Sequence, residues 1–411
     1  FNVNLERLRA ARTELIELKP GEEFREETSE IIIDALLGTG LNKPLQGDWE
    51  RLVSFLNESG KTIVAIDVPT GFFAEGVIDP TNTIINADLT ITFQRPKINF
   101  FLPESGAFVG DFRIVDIGLD EEYIQSTDTP YVLLCDEDIR ETLRTRDPFD
   151  HKGSFGHTFI IAGSEETMGA ALLCAGASVF SGSGLTTACI PSAGLSALNS
   201  GFPEVMAVLR DKVNIKDIKW TKYSSVAIGP GLGISDTAKK VLEETLRRFE
   251  KPVVIDADAV NLISANYELM AFVPEGAIFT PHLKEFDRLF GGHKNWWERL
   301  QTGIDRSTTL GCTIVLKNRY TIIFTPQGKC IFNPTGNPAM ASGGMGDVLT
   351  GMIASFLAQG YSPVEAAILG VYIHGKAGDT LAFDNNFAIV PASELIKKLP
   401  EVIGSFSKSL Y

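Results

Sequence analysis

Short runs of apolar, mostly β-branched residues recur along this chain. Each breaks off at a glycine, an aspartate or a Thr-Pro turn. "IIIDALLG", "TIVAIDVPTG", "HTFIIAG", "SSVAIGPG", "VVIDADAV" and "GAIFTPH" are of this kind. They lack the in-and-out alternation of a half-solvated strand, so they read as strands buried on both faces. Helical stretches lie between them. "DWERLVSFLNESG" places Trp49, Leu52, Val53 and Leu56 on one face, and "SDTAKKVLEETLRRF" opens on a Ser235–Asp236 cap. Buried strands alternating with helices dictate an α/β fold with parallel sheets. In such sheets ligands bind where strands end. The polar turns after the strands are therefore the places to look for chemistry.

The rhythm breaks once, at the acidic "LDEEYIQSTDTP", which reads as a linker between residues 1–125 and 126–411. With 411 residues, two domains are expected. The opening "NLERLRAARTELIEL" reads as a helix running into a strand, and its mid-domain character raises the expectation of sequence upstream of Phe1. "ADLTITF" and "DFRIVDIG" add strands to the first half, and "GLTTACI" and "CTIVLKN" to the second. "RYTIIFTP" and "KCIFNP", joined at "QG", read as a hairpin. Two helices, "DVLTGMIASFLAQG" and "SPVEAAILGVYIHGKAGDTLA", close the chain. Residues 167–203 carry no charge, but Gly, Ser and Pro191 divide them into a buried helix, a turn and a strand rather than a membrane span. The net charge of −15 argues against a nucleic-acid surface. Cys135, Cys174, Cys189, Cys312 and Cys330 form no CxxC pair and read as reduced thiols in a cytoplasmic protein.

The densest glycine cluster, "NPAMASGGMGDVLTG", stands ahead of an apolar helix. Gly343, Gly344 and Gly346 let backbone approach an anion, and the helix N-terminus points N–H groups at it. Asp347 falls in the first turn. It either stabilises the helix dipole, worth a few tenths to about 1 kcal/mol, or takes a proton from a hydroxyl attacking a phosphate. No Walker-A lysine pattern is present. The five histidines, His151, His157, His282, His293 and His374, lack metal-ligand spacing. His282, in a Thr-Pro-His turn after a strand, reads either as structural or as a ligand contact. Asp34 and Asp67 each end a strand, either capping the following loop or serving a ligand.

These motifs resemble a known family. "KGSFGHTFIIAGS", "GAALLCAGASVFSGSGL", "PEVM", "AIGPGLG", "VIDADAVNL", "TPHLKEF", "VLKNRYTII" and "TGNPAMASGGMGDVLTG" are similar, in order, to the ADP-dependent NAD(P)H-hydrate dehydratases of the ribokinase-like superfamily. The first part, with "IIIDALLGTGLNKPLQGDWERLV", "IVAIDVPTG" and "ADLTITFQRPK", resembles an NAD(P)H-hydrate epimerase domain. The resemblance implies a Rossmann-like first domain and a three-layer α/β/α second domain. It implies repair of NADHX and NADPHX, reduced nicotinamide cofactors hydrated at ring carbon 6. On this resemblance a nucleotide, ADP or ATP with Mg2+, would phosphorylate the hydroxyl of the S epimer, and phosphate would then leave. The N-terminal domain would interconvert the R and S epimers.

Carried over position by position, the resemblance makes Asp347 the base. Gly343, Gly344, Gly346 and the segment Lys317, Asn318, Arg319, Tyr320 and Thr321 would meet the nucleotide. Ala170, Gly231, Gly233 and His282 would meet the hydrated cofactor. In the first domain Gly38, Thr39, Gly40, Leu41, Asn42, Lys43, Pro44 and the catalytic Asp67 would contact the hydrate, and Asp34 and Thr70 would bind potassium. A homo-oligomer is implied. Two departures stand out. The family's Lys-Gly-x-x-Thr reads Lys-Asn-Arg-Tyr-Thr here, and its Asn-Gly-Gly-Asp-Gly loop is absent from the sequence. The residues also admit a ribokinase-like kinase of a small alcohol with a non-catalytic cofactor-binding first domain.

Overall fold

A computed structural model describes residues 2–12, 14–24 and 28–407. The chain divides into two compact units, meeting at Ser126 and Thr127.

The first unit is built on four parallel strands in sequence order: β1 (Ile31–Asp34), β2 (Thr62–Ile66), β3 (Leu89–Phe93) and β4 (Asp111–Val115). The helix Asp48–Glu58 crosses from β1 to β2 and buries Val53 against Ile63 and Ala65. A second small core joins Val68, Phe72, Phe100 and Phe108. Two expectations fail here. Residues 14–18 form no strand: their apolar side chains Leu15, Ile16 and Leu18 are exposed, and no neighbour offers them a ladder. The "IIID" strand is not buried on both faces. It is an edge strand, and Ile31 and Ile33 are 58% and 67% exposed.

The second unit holds a ten-stranded sheet. Its strands are β5 (Tyr131–Leu133), β6 (His157–Ile161), β7 (Leu185–Ile190), β8 (Met206–Leu209), β9 (Ser225–Ile228), β10 (Val253–Ile255), β11 (Ile278–Phe279), β12 (Thr313–Leu316), β13 (Ile322–Phe324) and β14 (Cys330–Phe332). The order is β5-β14-β13-β12-β11-β10-β9-β6-β7-β8. All neighbours pair in parallel except across the hairpin β12-β13-β14, whose second turn closes with Gly328 N–H donating to Thr325 O. Alternate residues face opposite layers. Ile160, Ala227, Val254 and Val315 pack under the helices Met168–Phe180, Met345–Ala358, Pro363–Asp379 and Ala392–Phe406. On the other face Phe324 meets Phe286 and Gly303 from the helices Leu283–Phe290 and Trp296–Leu310. Among the described residues no helix is long and apolar enough to cross a membrane.

The Met345–Ala358 helix is the centre of this unit. Its side chains are apolar all round, and twelve of its fourteen residues are buried, as that pattern requires. It crosses the Met168–Phe180 helix so closely that a Cβ at Gly351 would run into the carbonyl oxygen of Cys174. Gly351→Ala should therefore lower the unfolding free energy in urea by about 1–3 kcal/mol through overpacking. Gly404→Ala, in the Ala392–Phe406 helix with no atom near the added methyl, should leave stability unchanged or raise it by up to about 1 kcal/mol.

Candidate active sites

In the second unit three strand ends converge near the N-terminus of the Met345–Ala358 helix. β10 ends on Asp256, which is 1% exposed. The next residue, Ala257, has φ 48, a strained value without glycine, and the helix Asp258–Ala265 follows. Asp256 Oδ1 accepts from Lys317 Nζ at 2.9 Å, and Oδ2 accepts from Thr350 Oγ1 at 2.7 Å. Lys317 ends β12. Its N–H donates to Pro281 O, and it bridges His282 at the end of β11. Thr350 stands three residues beyond Asp347, so the helix, β10 and β12 meet at one carboxylate.

Asp347 is mostly buried in this cluster. Its carboxyl is pushed up to about 6, first by burial and then by the negative charge of Asp256; Lys317 opposes the shift and Asp258 adds to it. A carboxylate of that basicity can take a proton near neutral pH. Gly344 caps the helix with φ 90, and Gly343 is exposed with nothing near it. Gly346 differs. A Cβ there would stand 3.3 Å from Lys317 Nζ and 4.0 Å from Asp256 Oδ2. Its missing side chain makes room for the protein's own ammonium group. His374, half-buried, contacts Met345 O through Nε2 at 3.1 Å, and burial holds its imidazole down at about 4.

A cavity of about 480 Å3 opens beside this helix start. Lys317, Asn318, Arg319 and Thr321 line it together with Asn333, Asn337, Gly346 and His374. The Lys317–Thr321 turn is closed by Thr321 Oγ1 donating to Asn318 O at 3.2 Å. Asn318 adopts no left-handed conformation, so asparagine in place of glycine strains nothing there. Its Nδ2 is buried without a partner. Arg319 lies over the Tyr320 ring, 4.6 Å from its centre.

Ala170, Gly231 and Gly233 are held by side chains and backbone of neighbouring segments. Thr167 Oγ1 donates to Gly231 O at 2.7 Å, and Ala170 N–H to Thr167 O at 3.1 Å. Gly233 N–H donates to Asp258 Oδ2 at 2.8 Å. Arg210 donates to the carbonyls of Ala162, Gly163 and Cys189 and fixes the loop after β6. His282 is half exposed. Its Nδ1 accepts from the N–H groups of Lys284 and Glu285, and Glu285 accepts from His282 N–H, forming a capping box. Asp256, Asp258, Thr350, Thr167 and His374 were all missed as site residues; only the strand-end "DAD" pointed toward the first two.

In the first unit Asp34 and Thr70 are joined. Thr70 Oγ1 donates to Asp34 Oδ1 and Thr70 N–H to Oδ2, both at 2.7 Å, and the Leu37 carbonyl lies 3.5 Å from the Thr70 hydroxyl. Asp67, with φ 68, accepts from Lys97 Nζ at 2.7 Å and from Phe93 N–H at 3.2 Å. Gly38 comes up to Asp67 Oδ2: a Cβ there would be 4.0 Å away. Leu41 packs on the core of Val53, Ile63 and Ala65. Thr39, Gly40, Asn42, Lys43 and Pro44 are exposed in the loop beyond. Among the described residues no three His, Cys, Asp or Glu gather as a metal site.

Comparison with known proteins agrees with this layout. A family model described as NAD(P)H-hydrate dehydratase matches residues 158–401, and one described as YjeF-related protein N-terminus matches residues 1–99. The bifunctional NAD(P)H-hydrate repair enzyme Nnr of Moorella thermoacetica is 31% identical over 396 residues, covering 93% of this chain and 74% of that protein. The Escherichia coli enzyme of the same name is 33% identical, over 92% of this chain and 72% of its own. Among solved structures, a ribokinase-like superfamily protein of Enterococcus faecalis is 31% identical with a TM-score of 0.62, covering 68% of this chain and 98% of its own. The ADP/ATP-dependent NAD(P)H-hydrate dehydratase of Bacillus subtilis, co-crystallised with ATP and Mg2+, is 31% identical with a TM-score of 0.60, covering 67% and 98%.

The raised Asp347 carboxyl predicts a stability signature. Its folded value lies above the unfolded one, so the cost of the buried charge is present above about pH 6 and disappears as pH falls toward the unfolded value of 3.8. Asp347→Asn should be more stable than the wild type at pH 8, by on the order of 2 kcal/mol. The gap should close by about pH 4 in urea titrations at each pH.

Proposed function

Because the chain belongs to the family of bifunctional NAD(P)H-hydrate repair enzymes, we propose that its second unit, residues 126–411, dehydrates hydrated NADH and NADPH with ADP or ATP as phosphoryl donor. One observation carries the reading. A carboxyl raised to about 6 stands in the first turn of a buried helix, beside a cavity lined by Lys317 and Asn318. Asp347 takes the proton of the carbon-6 hydroxyl as its oxygen attacks the terminal phosphorus of ADP, and the bond to the AMP oxygen breaks. The helix N-terminus and the Lys317 ammonium receive the charge of the moving phosphoryl group. The ring nitrogen's lone pair then expels phosphate from carbon 6, and loss of a proton from carbon 5 restores the dihydropyridine. NAD(P)H, AMP and phosphate result. Mg2+, when bound, neutralises nucleotide phosphates.

The first unit, residues 1–125, interconverts the R and S hydrates in this reading, with Asp67 as the proton-handling group. Asp34, Thr70 and the Leu37 carbonyl bring oxygens together around one hydroxyl, a donor set that fits potassium. When bound, the ion would supply positive charge to an anionic substrate. Four buried and one exposed free cysteine support a reducing, cytoplasmic setting. The protein works as a homo-oligomer on small molecules, and its net charge of −15 disfavours nucleic acid.

Incubation with hydrated NADH and ADP or ATP should restore the absorbance of reduced nicotinamide. Asp347→Asn should lower turnover by about 10²–10⁴-fold while still melting cooperatively. No restored absorbance with either nucleotide, alongside phosphorylation of a small alcohol, sinks the proposal in favour of a kinase.

A further inference from the structure

We propose that Asp256 is a positioning residue of the transfer site, one that withholds the Lys317 ammonium from Asp347 and so keeps Asp347 basic enough to act. The inference rests on the reading of Asp347 as the base. Asp256 touches neither nucleotide nor acceptor in that reading; it acts through two neighbours. Its Oδ1 holds Lys317 Nζ at 2.9 Å, and its Oδ2 holds Thr350 Oγ1 at 2.7 Å on the same helix as Asp347. The carboxylate is 1% exposed and Lys317 is 23% exposed at its side chain, so the pair is largely shielded from solvent screening. Glycine at 346 leaves the ammonium group a seat against the helix, one residue before the base.

Charged and titratable groups face Asp347 from each element packed there. Asp256 comes from the end of β10, Asp258 from the Asp258–Ala265 helix, Lys317 from the end of β12, and the Cys174 thiol from the Met168–Phe180 helix. His374, on the Pro363–Asp379 helix, lies within electrostatic reach of Lys317. Lys317 is the one cation in the set. A free Lys317 would pair with Asp347 and make it a weaker base. Clamped to Asp256, it still presents positive charge to a phosphoryl group while Asp347 keeps a negative neighbour.

The test is the titration of Asp347 in the full chain, followed by carbon-13 resonances of labelled aspartate and assigned by their loss in Asp347→Asn. The acid limb of the kcat–pH profile is measured beside it. In Asp256→Asn both midpoints should fall from about 6 toward the ordinary carboxylate value near 4. In Lys317→Met both should rise. A role confined to folding would lower activity and leave the midpoints where they are, and that result in a cooperatively melting Asp256→Asn overturns the proposal. If Asp256→Asn does not fold, Lys317→Met decides alone: an unchanged or falling midpoint is fatal to it. The resonance titration needs no substrate. It therefore stands even if the wild type fails to dehydrate hydrated NADH, an outcome that would defeat the proposed activity and not the electrostatic arrangement.

Discussion

The second unit depends on how closely two helices cross. The Met345–Ala358 helix is apolar on every side, so it must be enclosed, and Gly351 lets it settle onto the Cys174 carbonyl of the neighbouring helix. Ser225 Oγ reaches up from β9 to bond Ala354 O, and Thr350 reaches down to Asp256. A helix enclosed in this way still has unpaired N–H groups at its first turn. In this fold that turn opens toward the cavity. The same packing that stabilises the unit thus aims a patch of partial positive charge at the strand ends.

Both units repeat one device. A strand ends, an aspartate follows, and a residue with positive φ sits at or next to it: Asp67 itself in the first unit, Ala257 after Asp256 in the second. Each aspartate then meets a lysine from another strand end or loop, Lys97 at 2.7 Å and Lys317 at 2.9 Å. Strain of about 1–3 kcal/mol per residue persists only where its surroundings enforce it. Here the enforcing contacts are the charge pairs and the backbone bonds from the next strand, Phe93 N–H to Asp67 Oδ1 and Asp256 N–H to Ile228 O.

In the second unit the strands that sequence reveals are those buried on both faces, because burial writes a continuous apolar run. β5, "YVL", and β8, "MAVL", escaped notice because each is short and lies at an edge. The reverse error has the same cause: "IIID" carries a core-like run yet lies exposed at an edge. Asp347 and its glycines were legible because all lie within five residues of one helix start. Asp256, Lys317 and Thr350 were not legible as a group. They are separated by 61 and 94 residues in the chain, and only the sheet order brings the ends of β10 and β12 to that helix start.

His282 offered two readings that the structure does not set against each other. Its Nδ1 serves as the acceptor that caps the Leu283–Phe290 helix, a structural task. In the neutral ring that acceptance leaves the proton on Nε2, and this edge lies 3.4 Å from the buried Glu285 carboxylate while the ring stays half exposed. The cap therefore fixes both ring orientation and tautomer. A histidine so held presents one donor edge in a set direction, beside the backbone of Lys317 that it bridges.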